Sequence, residues 1–521
     1  MITSIKINNL RSLKDTGYIR LCPLTILLGA NSSGKSTFLR SFPLFTQSVK
    51  KNLRGPISWF DDSLVDFGDY ATAKNRSARN NEYIRFSYVM DFSEGLEYGY
   101  RFIEDQFVYM GYSPFTKIKI GLSFASDNKG TYVKEIKLSV KGFVVKLSVP
   151  ERGASLIFKL GDDEISFPDD WKWNNNTSDN ILPSLSSVNE NKVRTEDFFQ
   201  VNLNYMAGMI IAKYNRKLRT TKKIILDLLH WKSDKEEYLK YLKEDSTIRA
   251  LRKAAFNWTI ESKDFLEIYN ILALINIVSL IPIIDHKLSD FYYRCSYIAP
   301  TRAEANRFYR TQGLQVNDID PYGKNLEEFI SSLTSTQEKS YNEYIQKLLK
   351  INIRTTSSAG HHSIELINDN GNFNIADVGF GYSQLLPIVT KLWYIGYLSN
   401  NKQRTRRIYE KDTRSVFAAI EQPELHLHPV YQAKIADAFI DLLHLTEEAK
   451  RPFSLLVETH SQTIVNRIGR RIREGEIKAE DVNVVLFNKA VGDPATEIKQ
   501  VSYDENGQLT DWPYGFFDPE D

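Results

Sequence analysis

Two groups of residues in this chain could do chemistry together. The first is the run Gly29-Ala30-Asn31-Ser32-Ser33-Gly34-Lys35-Ser36-Thr37. Glycines at the bends let backbone N–H groups approach an anion, and Lys35 supplies a cation that reaches terminal phosphate oxygens. Ser36 offers a hydroxyl to Mg²⁺. Gly29, Asn31, Ser33, Gly34, Lys35, Ser36 and Thr37 are therefore the candidate nucleotide contacts. The second group is Ile420-Glu421-Gln422-Pro423-Glu424-Leu425-His426-Leu427-His428-Pro429, followed by Glu458-Thr459-His460-Ser461. A carboxylate that closes an apolar strand can hold Mg²⁺ beside the loop hydroxyl, and Glu421 takes that role in the reading. His460 stands where a strand-end imidazole can hydrogen-bond a γ-phosphate.

These groups need particular elements to carry them. Residues 24–28 are an apolar strand and 37–45 a periodic helical segment, so the glycine loop joins strand to helix, the context a P-loop requires. Residues 416–420 and 453–457 are apolar runs that would end in Glu421 and Glu458. Between them and the P-loop lies Val378-Gly379-Phe380-Gly381-Tyr382-Ser383-Gln384, a glycine turn opening an apolar helix. Gly379, Gly381 and Ser383 form a second anion cradle. Arg11 falls in a turn after a first strand, either near the nucleotide or as a solvated surface arginine. His426 and His428 alternate with Leu and Pro without a third Cys or His nearby, which suits a structural or interface turn better than a metal site.

The rest of the chain divides by composition. Residues 83–167 hold short Tyr-, Phe-, Val- and Ile-rich runs broken by Gly, Asn and Asp, a β-rich lobe. Residues 169–191 read as an exposed connector, and 195–290 as helical. The domain expectation is 1–180 for the first part of a head with its β-rich lobe, 181–290 for a helical insertion, and 291–521 for the rest of the head. Within the insertion, Lys213, Arg216, Lys217, Arg219, Lys222 and Lys223 precede Trp231, Tyr238 and Tyr241. Nucleic-acid contact through 213–223 and a solvated face over core aromatics both fit this pattern. Arg302 and Arg307 are candidate phosphate or interface contacts, or partners of Glu304 or Glu327.

Over 521 residues the chain is 42% hydrophobic and 25% charged, ordinary for a globular protein of two to four domain-sized units. The net charge of +2 gives no global field for nucleic acid. Two distant cysteines, Cys22 and Cys295, fit a reducing cytoplasm better than a disulfide scaffold and suggest no zinc site. Residues 1–10 alternate as a strand rather than a leader, and 269–284 fall short of the roughly 20 residues of a membrane span. The expectation is a cytoplasmic protein with no membrane contact.

The set Gly29 to Ser36, Gly379 to Gln384, Glu421 to Pro429 and Glu458 to Ser461, in this order, resembles the ATP-binding-cassette (ABC) class of P-loop ATPases shared by SMC, RecF and OLD-type proteins. Within the class, the segments around Glu421 and His460 and the tail 507–517 are similar to the stand-alone AAA-type PtuA-like ATPases of bacterial Septu and retron anti-phage systems. The resemblance implies an α/β fold, an ABC-type P-loop ATPase head with a β-rich lobe and a helical insertion. It implies ATP and Mg²⁺ as cofactors, and a homodimer or higher oligomer in which Gly379, Gly381 and Ser383 of one head cap ATP held by the other. It further implies a separate HNH nuclease, PtuB-like, as partner, with reverse transcriptase and RNA-linked DNA added in retrons. His460 would be the switch histidine. Gln47 and Gln106 are the glutamines available for the usual Gln-containing loop.

One departure matters. The class places a glutamate after the metal carboxylate to polarise the attacking water, and this chain has Gln422, which can orient water but accept no proton. Slow turnover follows unless Glu424 substitutes. The segment after His460 is too short for an appended nuclease domain. The other reading is a RecF- or SMC-like repair ATPase acting directly on DNA, although 195–290 is too irregular in heptads for a long coiled coil.

Overall fold

The computed structural model describes residues 1–521 except 52, 54, 93–99, 104–105, 110–115, 168–169, 175–179, 190–191, 195–197, 215–220, 229, 311–315, 317, 359–360, 401–415, 450–451, 490–495 and 513–521. The chain forms two compact units. One comprises Met1–Asn9, Ser48–Ser58 and Ala78–Asp290; the other comprises Leu10–Gln47, Trp59–Ser77 and Phe291–Asp521.

The first unit is built on an antiparallel sheet. Strand Ile2–Leu10 pairs with Ile84–Asp91, and Lys117–Asp127, Gly130–Val140, Phe143–Ser148, Ile157–Leu160 and Asp163–Ile165 follow in spatial order. Ile84, Phe86, Tyr88 and Met90 alternate onto one buried face, the period-two pattern of a sheet with one covered side. Helices Phe198–Tyr214, Lys235–Glu244 and Lys263–Val278 supply the helical part. The connector expected over 169–191 is not one. Asp170–Asn174, Ser184–Asn189 and Lys192–Arg194 pair into a three-stranded antiparallel sheet. Trp171, 1% exposed, packs its ring 4.8 Å from Phe198. A strand whose buried face rests on one large aromatic among Asp, Lys and Asn shows no visible periodicity, so composition alone misses it. The apolar stretch around 269–284 belongs to two helices, Lys263–Val278 and Ile281–Tyr293. Together they are the one described segment apolar and long enough to cross a membrane, and 61% of that window is buried within the structure.

The second unit carries a six-stranded sheet. Its elements are β1 (Leu24–Gly29), α1 (Lys35–Val49), β2 (Cys295–Ile298), α2 (Phe380–Asn400), β3 (Val416–Glu421), α3 (Pro429–Glu448), β4 (Phe453–Glu458), α4 (Gln462–Arg473), β5 (Val482–Asn488) and β6 (Glu497–Val501). The strand order is β2-β3-β4-β1-β5-β6, parallel throughout except for β6. Every residue of β1 and β4 is buried, as a parallel strand covered on both faces demands. Phe42 of α1 stacks 4.5 Å from Phe417 of β3, which fixes the P-loop helix over the sheet. The ends of β1, β3 and β4 open on the same edge, where ligands of open parallel sheets bind. Glu421 and Glu458 are register partners there. The fold class is α/β, that of an ABC-type P-loop ATPase head.

Candidate nucleotide site

The loop after β1 is shaped for an anion. Gly29 has φ +151° and Gly34 φ +101°, conformations that side-chain-bearing residues rarely adopt. A Cβ on Gly29 would lie 2.3 Å from the Phe487 carbonyl oxygen, and one on Gly34 would lie 2.7 Å from the Leu13 side chain. β5 thus presses against the loop from below, and Thr496 Oγ1 adds a 2.8 Å hydrogen bond to the Ser33 carbonyl. Asn31 is exposed at the loop tip, whereas the Ser33 hydroxyl is fully buried without a hydrogen-bond partner. Lys35, 3% exposed, donates to the Gly29 and Ala30 carbonyls at 3.0 and 2.7 Å. Burial lowers its pKa, against the raising effect of Glu458, Glu424 and Glu421. Thr37 follows half-buried on the first turn of α1.

The carboxylate beside Ser36 is Glu458, where the sequence reading expected Glu421. Ser36 Oγ donates to Glu458 Oε1 at 2.8 Å, and Glu458 Oε2 is buried without a hydrogen-bond partner. Burial and the nearby Glu421 charge push the Glu458 carboxyl up to about 7. Glu421 is committed elsewhere: Arg40 Nε and Nη2 donate to its two oxygens at 2.8 and 2.6 Å, and Tyr297 Oη donates at 2.8 Å. Burial disfavours the Arg40 charge, yet the Glu421 hydrogen bonds and charge outweigh it and raise the guanidinium pKa. Arg40 lies one helical turn after Ser36, so the i,i+4 spacing was a readable sign that both face the site. Tyr297 had no such signal.

The turn after β3 is equally occupied. Gln422 has φ +44°, and its Nε2 lies 3.5 Å from Glu458 Oε1. Glu424 accepts from Thr459 Oγ1 at 2.8 Å and from the His460 backbone N–H at 2.6 Å, one bond to each oxygen. Burial raises its pKa. The His460 side chain reaches the surface, but the protein around the ring and the Lys35 charge lower its pKa. Arg302 is not a surface phosphate contact. At 2% exposure it donates to the Ala299 and Gln422 carbonyls and to the Gln384 side chain. Arg307 pairs with Asp377.

The remaining calls separate. Gly379 is exposed with φ +85°, Gly381 is half-buried and Ser383 is buried on α2. Arg11 lays its guanidinium over the Phe67 ring, 4.3 Å from the centroid, and donates to the Asp66 carbonyl at 2.9 Å. His428 caps α3 through Val430 N–H, the structural alternative for that turn. Gln47 accepts from Val65 N–H. In the first unit Lys213 bridges Asp264 and Glu267 at 3.0 Å each, so that cation is locally neutralised. Arg216, Lys217 and Arg219 lie outside the described residues, as does the tail after Trp512.

The donors fit a Mg²⁺ nucleotide: a backbone cradle that a Cβ would fill, an amine, a hydroxyl and a carboxylate with an unused buried oxygen. Comparison with known proteins agrees at family level. Residues 1–465 match the AAA ATPase domain family, and 477–521 match a family described as a protein of unknown function (DUF3696). No curated protein matches. Among solved structures, an SMC head bound to the C-terminal winged-helix domain of ScpA aligns over 96% of this chain and 98% of its own, at 9% identity and TM-score 0.34. A Pyrococcus furiosus SMC head with an extended coiled coil, bound to the C-terminal domain of ScpA, aligns over 96% of each chain at 12% identity and TM-score 0.35. The Thermotoga maritima SMC head domain covers 96% of this chain and 98% of its own at 8% identity and TM-score 0.31. Glycine loop, Lys35, Ser36 and the strand-end acids thus stand in one site, and the chain belongs to the AAA ATPase domain family.

Proposed function

We propose that this chain is the ATP-binding and slowly hydrolysing component of a cytoplasmic bacterial anti-phage complex. Its ATP-bound state, a pair of heads, controls a separate HNH nuclease of PtuB-like type, in a Septu system or in a retron with reverse transcriptase and RNA-linked DNA. The observation that carries the reading is the pairing of a well-formed phosphate cradle with a turn that lacks a free base. Gln422 accepts no proton, and both Glu424 oxygens are engaged by Thr459 and His460. A turn that supplies no proton acceptor of its own slows turnover, which suits a licence or clamp rather than a fast motor. The motif set around Glu421 and His460 supports the defence assignment by resemblance. In the paired state Gly379, Gly381 and Ser383 would cap the nucleotide of the other head.

Single-turnover hydrolysis of labelled ATP, with binding measured in parallel, tests the chemistry on the native chain, Lys35→Ala and Gln422→Glu. Binding lost in Lys35→Ala, little native turnover and a clear rise in Gln422→Glu is the expected outcome. Brisk native turnover would remove the clamp. Co-expression with the products of neighbouring genes tests the partner: stable co-purification of a nuclease or reverse transcriptase is expected. Tight DNA binding by the isolated chain would instead favour direct action on DNA.

A further inference from the structure

We propose that the open face of the antiparallel sheet in the first unit is a docking surface for the phosphate backbone of duplex DNA. The inference goes beyond the ATPase reading and does not depend on it. Strand register carries it. Across six neighbouring strands, one row of directly opposed residues runs Lys6, Ser87, Gly121, Lys137, Lys146, Lys159. The two flanking rows add Arg85 and Lys119 and one acid, Glu135; their other positions are Ser, Asn, Val and Ile. These rows alternate with buried residues such as Phe86, Ile120, Ile136 and Val145, so they stand on the side of the sheet away from the core.

Charge is the reason to expect a polyanion. Arg85 and Lys146 each reach Glu135 at 3.0 Å, and Glu164, opposite Lys159 beyond the end of the row, lies 4.0 Å from it. The exposed Lys137 side chain makes no ion pair among the described residues. Like charges directly opposite one another destabilise a sheet, yet Lys137, Lys146 and Lys159 are opposed on successive strands. Lysines that guard a sheet against unwanted pairing belong on its edge, whereas Lys137 and Lys146 stand on interior strands. A surface built for solubility alone intersperses both signs. The three rows carry no aromatic ring, which speaks against a stacking platform for single strands, and protein interfaces are poor in lysine. Ammonium groups on a flat face instead neutralise backbone phosphates without reading bases. With strands about 4.8 Å apart the central row is about 24 Å long, and a duplex laid along it presents about 14 phosphate charges. Gly121 keeps the middle of the row low, since a Cβ there would lie 3.2 Å from Ser87 Oγ.

The test is fluorescence anisotropy of a labelled, mixed-sequence DNA duplex of about 30 base pairs with the full chain, at about 50, 100 and 200 mM KCl. Native binding should be loose, in the micromolar range at about 100 mM salt, independent of sequence and steeply salt-dependent, unlike the tight hold that direct action on DNA requires. Lys119→Gln, Lys137→Gln and Lys159→Gln combined should weaken it at least about tenfold and cut the slope of log affinity against log salt by about 2 to 3, since each phosphate contact contributes about 0.9. Lys240→Gln, an exposed change on a helix of the same unit, should stay within about twofold of native. The triple variant should keep the native melting temperature and nucleotide affinity, because it only thins positive charge on a face crowded with it. Absence of DNA binding by the native chain at about 50 mM KCl, or an unchanged salt slope in the triple variant, would overturn the proposal. So would tighter binding of an RNA duplex, or displacement of the DNA by polyglutamate at equal charge concentration, which would assign the face to an acidic protein. Loss of ATP binding with DNA binding intact would sink the ATPase reading alone.

Discussion

Replacing Arg40 by Met isolates the commitment of Glu421 in one substitution. Methionine keeps the length and apolar stem of the side chain while deleting both guanidinium hydrogen bonds, at 2.8 and 2.6 Å. Glu421 is 2% exposed, so the orphaned carboxylate cannot simply rehydrate. Breaking a buried pair from one side costs about 3–5 kcal/mol, and Arg40, 35% exposed, places this pair near the lower end, at about 3 kcal/mol. Glu421→Leu alone should cost less, and Arg40→Met with Glu421→Leu together should recover most of the loss, giving a coupling energy of about 2 kcal/mol. Tyr297→Phe should add about 1 kcal/mol, one hydrogen bond's worth. Hydrogen exchange of the peptide covering Val416–Glu421 is the suitable assay, because two compact units need not unfold in a single step. A loss under about 1 kcal/mol for Arg40→Met, the scale of an exposed ion pair, would refute the reasoning. Glu421 would then be hydrated rather than held by Arg40 and Tyr297.

Further outcomes follow from the same geometry. Gly29→Ala should abolish binding of a fluorescent ATP analogue, since its Cβ would lie 2.3 Å from the Phe487 carbonyl at a φ of +151°; near-native affinity would mean that β5 yields. Thr496→Val should weaken nucleotide binding a few-fold without lowering the melting temperature by more than about 2 °C, as it removes one 2.8 Å bond to the Ser33 carbonyl; unchanged affinity would show that the loop holds its shape alone. Asp285 accepts from the Ile181 and Leu182 N–H groups, yet burial pushes its pKa up from 3.8 to about 6. A raised folded-state pKa means its contribution is full below about pH 4 and is lost as pH rises to about 6, on the order of 3 kcal/mol. Asp285→Asn, which keeps the acceptor oxygen, should flatten that stretch of the stability curve in urea titrations at pH 4, 5, 6 and 7; an unaltered slope would show that another group titrates there.

What the sequence disclosed and what it hid divide along physical lines. Chemistry carried by local patterns was legible. A glycine loop between an apolar strand and a helix can be read without knowing what surrounds it, and so can an acid at the end of an apolar run. Pairings between strands were not. Glu421 and Glu458 end equivalent apolar runs, and only the spatial order β3-β4-β1 makes Glu458 the neighbour of Ser36. Arg302 reads as a free cation in sequence and is a buried tie between the α2 side chain Gln384 and the carbonyl of Gln422. Trp171 and its three-stranded sheet escaped because the polar residues around it mask the alternation.

The placement of the acids also explains why the substitution at Gln422 is tolerable in a working site. A glutamate there would bring a third carboxylate beside Glu421 and Glu458, where burial and, after it, the Glu421 charge already raise the Glu458 pKa. The amide removes that repulsion and donates toward Glu458 at 3.5 Å. The same exchange takes away the group that would accept a proton from water. Gln422→Glu should therefore do two things at once: raise hydrolysis by supplying a base, and weaken the packing of the strand-end acids. The two effects are separable, because the second predicts a lower melting temperature without nucleotide that Mg²⁺ partly restores, whereas a base acting alone predicts faster turnover at unchanged stability. Faster turnover with no loss of stability would show that Glu421 and Glu458 do not crowd position 422, and that the amide reflects selection for slow hydrolysis alone.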